Sequence, residues 1–85
     1  MKYNETAVLI ITRELTSAFN IRNLNAKQTL KASIDCVIWD IADGKMQIED
    51  AYESIYSDLS FAGNYFNGQC ANIANRAVEK IKAIA

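Results

Sequence analysis

The sequence predicts an all-α protein, a small antiparallel bundle of three to four helices. Apolar residues recur at steps of three and four along most of the chain, which is the spacing of one face of an α-helix. The chain has no proline and only three glycines, so it lacks the turn residues that a protein with many β-strands needs. With 85 residues it has room for one domain, covering residues 1–85.

The first helix is predicted from Asn4 to Phe19, because Asn4 can accept hydrogen bonds from the free amides of the first turn. Its core-facing stripe is Ala7, Val8, Ile11, Leu15, Ala18 and Phe19. Leu9 and Ile10 widen the apolar surface, so we expect this helix to contact two neighbours or to form a homodimer with a second copy of the chain. A buried β-strand at residues 7–12 is the alternative.

The second helix, predicted from Asn25 to Gly44, carries the most complete set of helix signals. Asn25 and Gln28 resemble a capping box, and Asp43-Gly44 offers the left-handed position that ends many helices. The main apolar stripe consists of Leu30, Ile34, Val37, Ile38 and Ile41. A second stripe predicts that other helices cover this one on two sides, and it consists of Ala32, Cys36 and Trp39.

Two further helices are predicted after a short connection at residues 43–46, which makes the second and third helices antiparallel neighbours. The third runs from about Gln47 to Leu59 and buries Ile48, Ala51, Tyr52, Ile55 and Leu59. The fourth runs from about Asn67 to Ile84 and buries Cys70, Ile73, Ala74, Ala77, Val78, Ile81 and Ile84. Between them, the aromatic side chains of Phe61, Tyr65 and Phe66 are expected to fold back onto the core.

The lack of a long apolar run and of a signal peptide predicts a cytoplasmic protein. No apolar segment approaches the roughly 20 residues that span a bilayer, and the N-terminal segment does not resemble a signal peptide. In the cytoplasm Cys36 and Cys70 should stay reduced. Because both lie at helical spacing among apolar residues, we expect packed thiols, and a structural disulfide is the less favoured alternative.

The absence of histidine excludes much of the chemistry that a small enzyme would use. Ser–His and Cys–His nucleophiles are impossible, and two cysteines without histidine cannot form a structural zinc site within one chain. Asp35, Asp40 and Asp43 lie close in sequence, but an acid–base pair needs a cleft that separates two pKa values. We therefore predict a protein that is not an enzyme, with no catalytic residues, cofactor or metal ion.

Known ligand-binding loops are also missing. Asp43-Gly44 matches positions five and six of an EF-hand, but the first and third ligand positions then fall on Trp39 and Ile41, which supply no side-chain oxygen. Neither GxxxxGK[ST] nor GxGxxG occurs. A capped helical hairpin explains these residues better than a calcium site.

The charges are unevenly distributed, and this predicts a surface for a partner. Between Asp35 and Asp58 there are seven acidic residues against one lysine. Tyrosines among acidic residues are typical of a contact surface for a basic protein. The predicted partner-binding residues are Glu49, Tyr52, Glu53, Tyr56 and Asp58. In the competing interpretation Tyr52 belongs to the core, Tyr56 is half-exposed, and the acids are a solvated face.

For function, we expect a small non-enzymatic protein-binding regulator or inhibitor, of the kind that phages and mobile elements encode. The alternative is a small helical nucleic-acid-binding protein. The third helix carries no base and would be repelled by DNA, so the basic footprint would come from the flanking helices. Its residues are Lys2, Arg13, Arg22, Lys27, Lys31, Arg76, Lys80 and Lys82.

Overall fold

The apolar periodicity of the chain produces four α-helices. The computed structural model describes residues 1–63, 65 and 67–85, with residue 67 described by its backbone alone. The helices are α1 (Glu5–Ala18), α2 (Leu24–Ala42), α3 (Ala51–Ala62) and α4 (Asn67–Ile84), and a single 3-10 turn at Ile48–Asp50 leads into α3. No strand occurs among these described residues. The all-α prediction is confirmed, and the alternative of a strand at residues 7–12 is wrong.

The four helices form a bundle in which each helix packs on the one before it, and α4 also packs on α1. Contacts between α1 and α2 show that these two helices run antiparallel. The hydroxyl of Tyr3, just before α1, donates a hydrogen bond to Asp35 in the second half of α2, and Thr16 near the end of α1 shares a groove with Lys27 near the start of α2. The domain measures 30 × 22 × 18 Å.

The core consists of the stripes that face the centre of this bundle. The main stripe of α2 is fully buried at Leu30, Ile34, Val37 and Ile38 and half-buried at Ile41, as predicted. The other helices contribute Val8, Ile11, Leu15, Ala51, Ile55, Leu59, Cys70, Ile73, Ala74, Ala77 and Ile81. Two residues of the predicted core-facing stripes are exposed, namely Ala18 and Ile84, and each lies in the last turn of its helix.

The second helix begins two residues earlier than predicted. Asn23, not Asn25, is the N-cap: its backbone is extended, and its side-chain oxygen accepts a hydrogen bond from the Ala26 amide at 3.0 Å. The prediction of a capping box at Asn25 and Gln28 is therefore wrong, because both residues lie inside the helix.

The end of α2 is as predicted. Gly44 has φ +76°, the left-handed conformation that glycine adopts without steric cost. Its amide donates to the Ile41 carbonyl at 3.2 Å, and the Lys45 amide donates to the Asp40 carbonyl at 2.8 Å. These two bonds satisfy carbonyl groups that the helix itself leaves without partners.

The second stripe of α2 is not covered, and this corrects the prediction of a helix enclosed on two sides. Ala32 and Cys36 are exposed, and Trp39 keeps 50% of its surface accessible. The stripe is open because α1 and α3 flank the main stripe and α4 packs on α1 and α3, so all three helices lie on the same side of α2. Cys70 is buried as predicted, whereas Cys36 is exposed, and both are free thiols, which rules out the disulfide alternative.

The aromatic residues at and after the end of α3 differ in burial in a way that the sequence did not predict. The hydroxyl of Tyr65 donates a hydrogen bond to the Ala26 carbonyl at 2.5 Å, so this ring folds back as expected. Phe61 is 94% exposed, and the expectation that it packs on the core is wrong. The cause is that α3 continues to Ala62, which turns Phe61 about 200° away from the buried Leu59. Phe66 lies outside the described residues.

The cap of α2 gives a direct test of this structure. We expect Asn23→Ala to lower the free energy of unfolding by about 1 kcal/mol, because the Ala26 amide loses its acceptor. Asn25→Ala is the matched control and should change that free energy by less than about 0.5 kcal/mol, since it removes no cap. Urea unfolding followed by circular dichroism measures both. An equal or larger cost for Asn25→Ala would show that the helix begins where the sequence placed it.

Candidate functional site

The five predicted partner-binding residues do not form one surface. The buried stripe of α3, Ala51, Ile55 and Leu59, faces the core and divides the helix surface into two flanks. Tyr52 shares a groove with Asn75 and Val78 of α4, whereas Asp58 shares a groove with Ala32 and Cys36 of α2. Asp58 therefore lies apart from the others.

The other four residues lie together, and we call them the tyrosine patch: Glu49, Tyr52, Glu53 and Tyr56. Tyr52 and Tyr56 are one helical turn apart, and their rings stack with centroids 6.0 Å apart and planes inclined by 26°. Both rings are half-buried against the core, whereas the two glutamates are exposed. The patch thus presents a stacked aromatic pair supported from beneath and bordered by two carboxylates.

The patch continues into a groove of about 500 Å³ between α3 and α4. Its lining residues are Ile48, Glu49, Tyr52, Asn75, Val78, Glu79 and Lys82. Glu79 forms an ion pair of 3.8 Å with Arg76. Because both side chains are exposed to water, this ion pair is weak. Carboxylates outnumber cations along this groove by two to one, so the field around the tyrosines favours a positively charged partner group.

Asp58 has a structural contact instead. One of its carboxylate oxygens accepts a hydrogen bond from the hydroxyl of Ser33 at 2.8 Å. Ser33 is the one buried polar residue found in the core of the described chain, and Asp58 supplies the partner that a buried hydroxyl needs. This bond links α2 to α3.

The basic residues of the flanking helices separate into paired and unpaired groups. Lys80 is paired with Glu14, and Arg76 with Glu79. Arg13, Lys27 and Lys31 instead line a groove of about 290 Å³ between α1 and α2, which we call the basic groove. It also contains Leu9, Thr12, Thr16 and Gln28.

No ion pair in the described chain involves the cations of the basic groove, although Lys31 also lines an adjoining groove with Glu5 and Asp35. None of its lining residues is acidic, and its three cations have no carboxylate within 4.0 Å among the described residues. The Oγ1 of Thr12 is buried and has no hydrogen-bond partner in the same part of the chain. The sequence named these cations as candidates, and the antiparallel pairing of α1 and α2 brings them together.

A contact that the sequence did not indicate joins the N-terminal segment to α2. The hydroxyl of Tyr3 donates to Asp35, and the ring of Tyr3 meets that of Trp39 edge to face, with centroids 4.5 Å apart. The hydrogen bond to Asp35, together with burial and that carboxylate's charge, raises the pKa of Tyr3 to about 12. Tyr3 precedes the first helix, so helical periodicity gave no signal for this contact.

The exposed thiol of Cys36 lies on the same face of α2 and is not activated. The neighbouring protein atoms exclude part of the water around the thiol, which raises its pKa, and the negative charges of Asp35, Asp40 and Asp58 raise it further. The reactive form of cysteine is the thiolate, which these surroundings disfavour at neutral pH. The described residues contain no group of three or more potential metal-binding side chains.

Comparisons of the chain with protein-family models, with curated proteins and with solved structures gave no match. In the part of the chain that is described, no helix has both the length and the apolar character needed to cross a bilayer. The geometry of the surface is therefore the basis for a functional proposal.

Proposed function

We propose that this protein is a small non-enzymatic regulator or inhibitor that docks onto another protein through the tyrosine patch. The observation that carries the proposal is the stacked pair of Tyr52 and Tyr56, half-buried on the α4-facing flank of α3 beside two exposed glutamates. Aromatic side chains of this kind are enriched among the residues that contribute most to binding.

The stacking supports binding because it limits the entropy lost on association. A tyrosine has few rotatable bonds, and each ring here is already held by the core and by the other ring. A partner that covers the rings would gain their apolar area while immobilising little that is mobile in the free protein. The two hydroxyl groups remain available for hydrogen bonds at the rim.

The charges around the rings indicate the class of partner. Glu49 and Glu53 border the patch, and Glu79 lines the adjoining groove. Such a field accelerates the association of a basic surface and repels an acidic one. We therefore propose a protein partner with lysine or arginine side chains around an apolar pocket.

The proposal predicts the behaviour of Tyr56→Ala combined with Glu53→Lys. We expect this variant to bind its partner at least about tenfold more weakly, because it loses an anchor ring and reverses a steering charge. Its thermal midpoint should fall by about 5–15 °C while the variant stays folded, since a half-buried ring contributes about 1–2 kcal/mol in a domain of this size. The partner is first captured from a lysate of the source cells and identified, and its dissociation constant is then measured with purified proteins.

Glu53→Lys alone is compared with Asp43→Lys, which makes the same charge change at the exposed end of α2. Equal affinities for these two single variants would show that net charge and not the patch determines binding. Unfolding of the double variant would show that the tyrosines serve the core. Undiminished partner binding by the folded double variant would exclude the patch as the docking surface.

A second candidate function is nucleic-acid binding through the basic groove. It is supported by three unpaired cations on facing helices and by the unpartnered hydroxyl of Thr12 beside them. Cations in this arrangement attract phosphates without reading sequence. The acids of α3 lie on other faces of the bundle, so this mode would use α1 and α2 and leave α3 unengaged.

This second candidate predicts the salt dependence of binding. If it is right, a fluorescent oligonucleotide should bind at physiological ionic strength, and Lys27→Gln with Lys31→Gln should reduce the slope of log affinity against log salt by about 2. Lys2→Gln with Lys45→Gln removes the same charge elsewhere and should have a smaller effect. Absence of binding to both single- and double-stranded oligonucleotides at that ionic strength would exclude this function.

A further inference from the structure

The outer face of α2 carries an apolar strip that no other helix of the described chain covers, although the Tyr3 ring packs against the edge of Trp39. We call Ala32, Cys36 and Trp39 the α2 strip; they succeed one another at steps of four and three, on the side of the helix opposite its buried stripe. Phe61 lies beside this strip, across an open groove of about 610 Å³ between α2 and α3. Large aromatic side chains as exposed as Phe61 and Trp39, on one continuous face, mark an interaction site in soluble proteins.

We propose that a second copy of this chain covers the α2 strip, with the two α2 helices antiparallel about a two-fold axis. A two-fold interface requires that one surface be complementary to itself. The α2 strip meets this requirement because it has a small residue at one end and a large residue at the other.

The spacing along the helix makes this complementarity concrete. An axis that crosses α2 between Asp35 and Cys36 leaves Trp39 and Ala32 about 5 Å from it on opposite sides, since each residue advances the helix by 1.5 Å. The two-fold operation then places the indole of one copy over the Ala32 methyl group of the other, and repeats this contact at the other end. Cys36, next to the axis, is small enough to let the helices approach closely.

The exposed area of the two rings is about half of what a weak dimer buries on each partner. At roughly 200 Å² for a full ring, the accessible parts of Phe61 and Trp39 amount to about 300 Å² per copy. Weak and transient complexes bury less than about 600 Å² per partner, so the two rings alone supply about half of that area. The neighbouring small residues of the groove supply more. We therefore expect a dimer with a dissociation constant in the micromolar range.

The carboxylates beside the α2 strip allow a second copy of the chain to pack on it. Asp35 accepts a hydrogen bond from the Tyr3 hydroxyl, and Asp58 accepts one from Ser33. Two of the three carboxylates around Cys36 therefore already have a partner within the chain, which lowers the cost of removing water from around them; the third is Asp40. The side chains of the strip itself are uncharged, so the contact between Trp39 and Ala32 buries no charged group.

This dimer would leave the tyrosine patch free, because the patch lies on the flank of α3 that faces α4 and not on the flank that faces α2. Each dimer would present two copies of the patch. The inference does not depend on the proposed function, since the α2 strip and the patch share no residue.

Sedimentation velocity across the micromolar concentration range tests the proposal. We expect the wild-type chain to dimerise, and Ala32→Glu and Phe61→Ser each to raise the dissociation constant at least about tenfold. Both positions are exposed, so neither change should impair folding, and glutamate is a good helix former. The control is Ile10→Ser, which removes a 48% exposed apolar side chain from α1 and should leave the dimer intact.

Two outcomes of this experiment would overturn the proposal. A wild-type chain that remains monomeric at high micromolar concentration excludes the dimer. Loss of the dimer in Ile10→Ser, with no effect of Ala32→Glu, assigns the interface to the first helix instead of the α2 strip.

Crosslinking through Cys36 supplies a second readout that reports on geometry. The two Cys36 thiols should lie next to the axis, so a short bismaleimide, which adds one thiol to each of its two rings, should join the copies. Cys70 is buried and should not react, and Cys36→Ser is the control. The reaction is run at about pH 8.5, because the pKa of Cys36 is raised. A dimer detected by sedimentation that gives no crosslink would show that the copies associate through another face.

Discussion

Burial of one stripe of α2 is the interaction on which the rest of the structure depends. Leu30, Ile34, Val37 and Ile38 have no accessible surface, and α1 and α3 pack on either side of them. Burying a side chain of this size contributes about 1.5–3 kcal/mol, whereas a domain of this length has a net stability of only about 5–10 kcal/mol. These four residues therefore decide whether the chain folds, and the other helices are arranged around them.

The one-sided burial of α2 also determines where function can lie. Because α4 closes the bundle by packing on α1 and α3, the opposite face of α2 stays in water, as do the outer flanks of α3 and the groove beside α1. The tyrosine patch, the basic groove and the α2 strip occupy three such surfaces. They differ in character, since the first is acidic and aromatic, the second is cationic, and the third is uncharged. A single small core can thus support separate contacts for separate partners.

Periodicity predicted the parts of the fold that a single helix determines. The buried stripes of α2 and α3 and the stacking neighbours Tyr52 and Tyr56 follow from steps of three and four along one helix. Periodicity could not show how many sides of α2 are covered, because an apolar stripe that meets solvent has the same spacing as one that meets a helix. Cys36 and Trp39 were misplaced for this reason. Phe61 was misplaced because α3 continues one turn further than its apolar pattern.

The features that periodicity could not predict depend on contacts between distant parts of the chain. The bonds of Asp58 to Ser33 and of Tyr3 to Asp35 join residues 25 and 32 positions apart, and no local pattern encodes them. The convergence of Arg13 with Lys27 and Lys31 depends on the packing of α1 against α2. At the start of α2 two asparagines could serve as the cap, and the extended backbone of Asn23 and its bond to the Ala26 amide identify Asn23 as the cap.

The one-sided burial of α2 is tested most directly by comparing Val37→Ala with Cys36→Ala at low protein concentration. The two positions are adjacent in α2, but one is buried in the core and the other is exposed. Urea unfolding should show a loss of about 2 kcal/mol for Val37→Ala, from lost apolar burial and the cavity left behind, and a change of less than about 0.5 kcal/mol for Cys36→Ala. Equal losses at the two positions would contradict the account, because they would mean that α2 is covered on both sides.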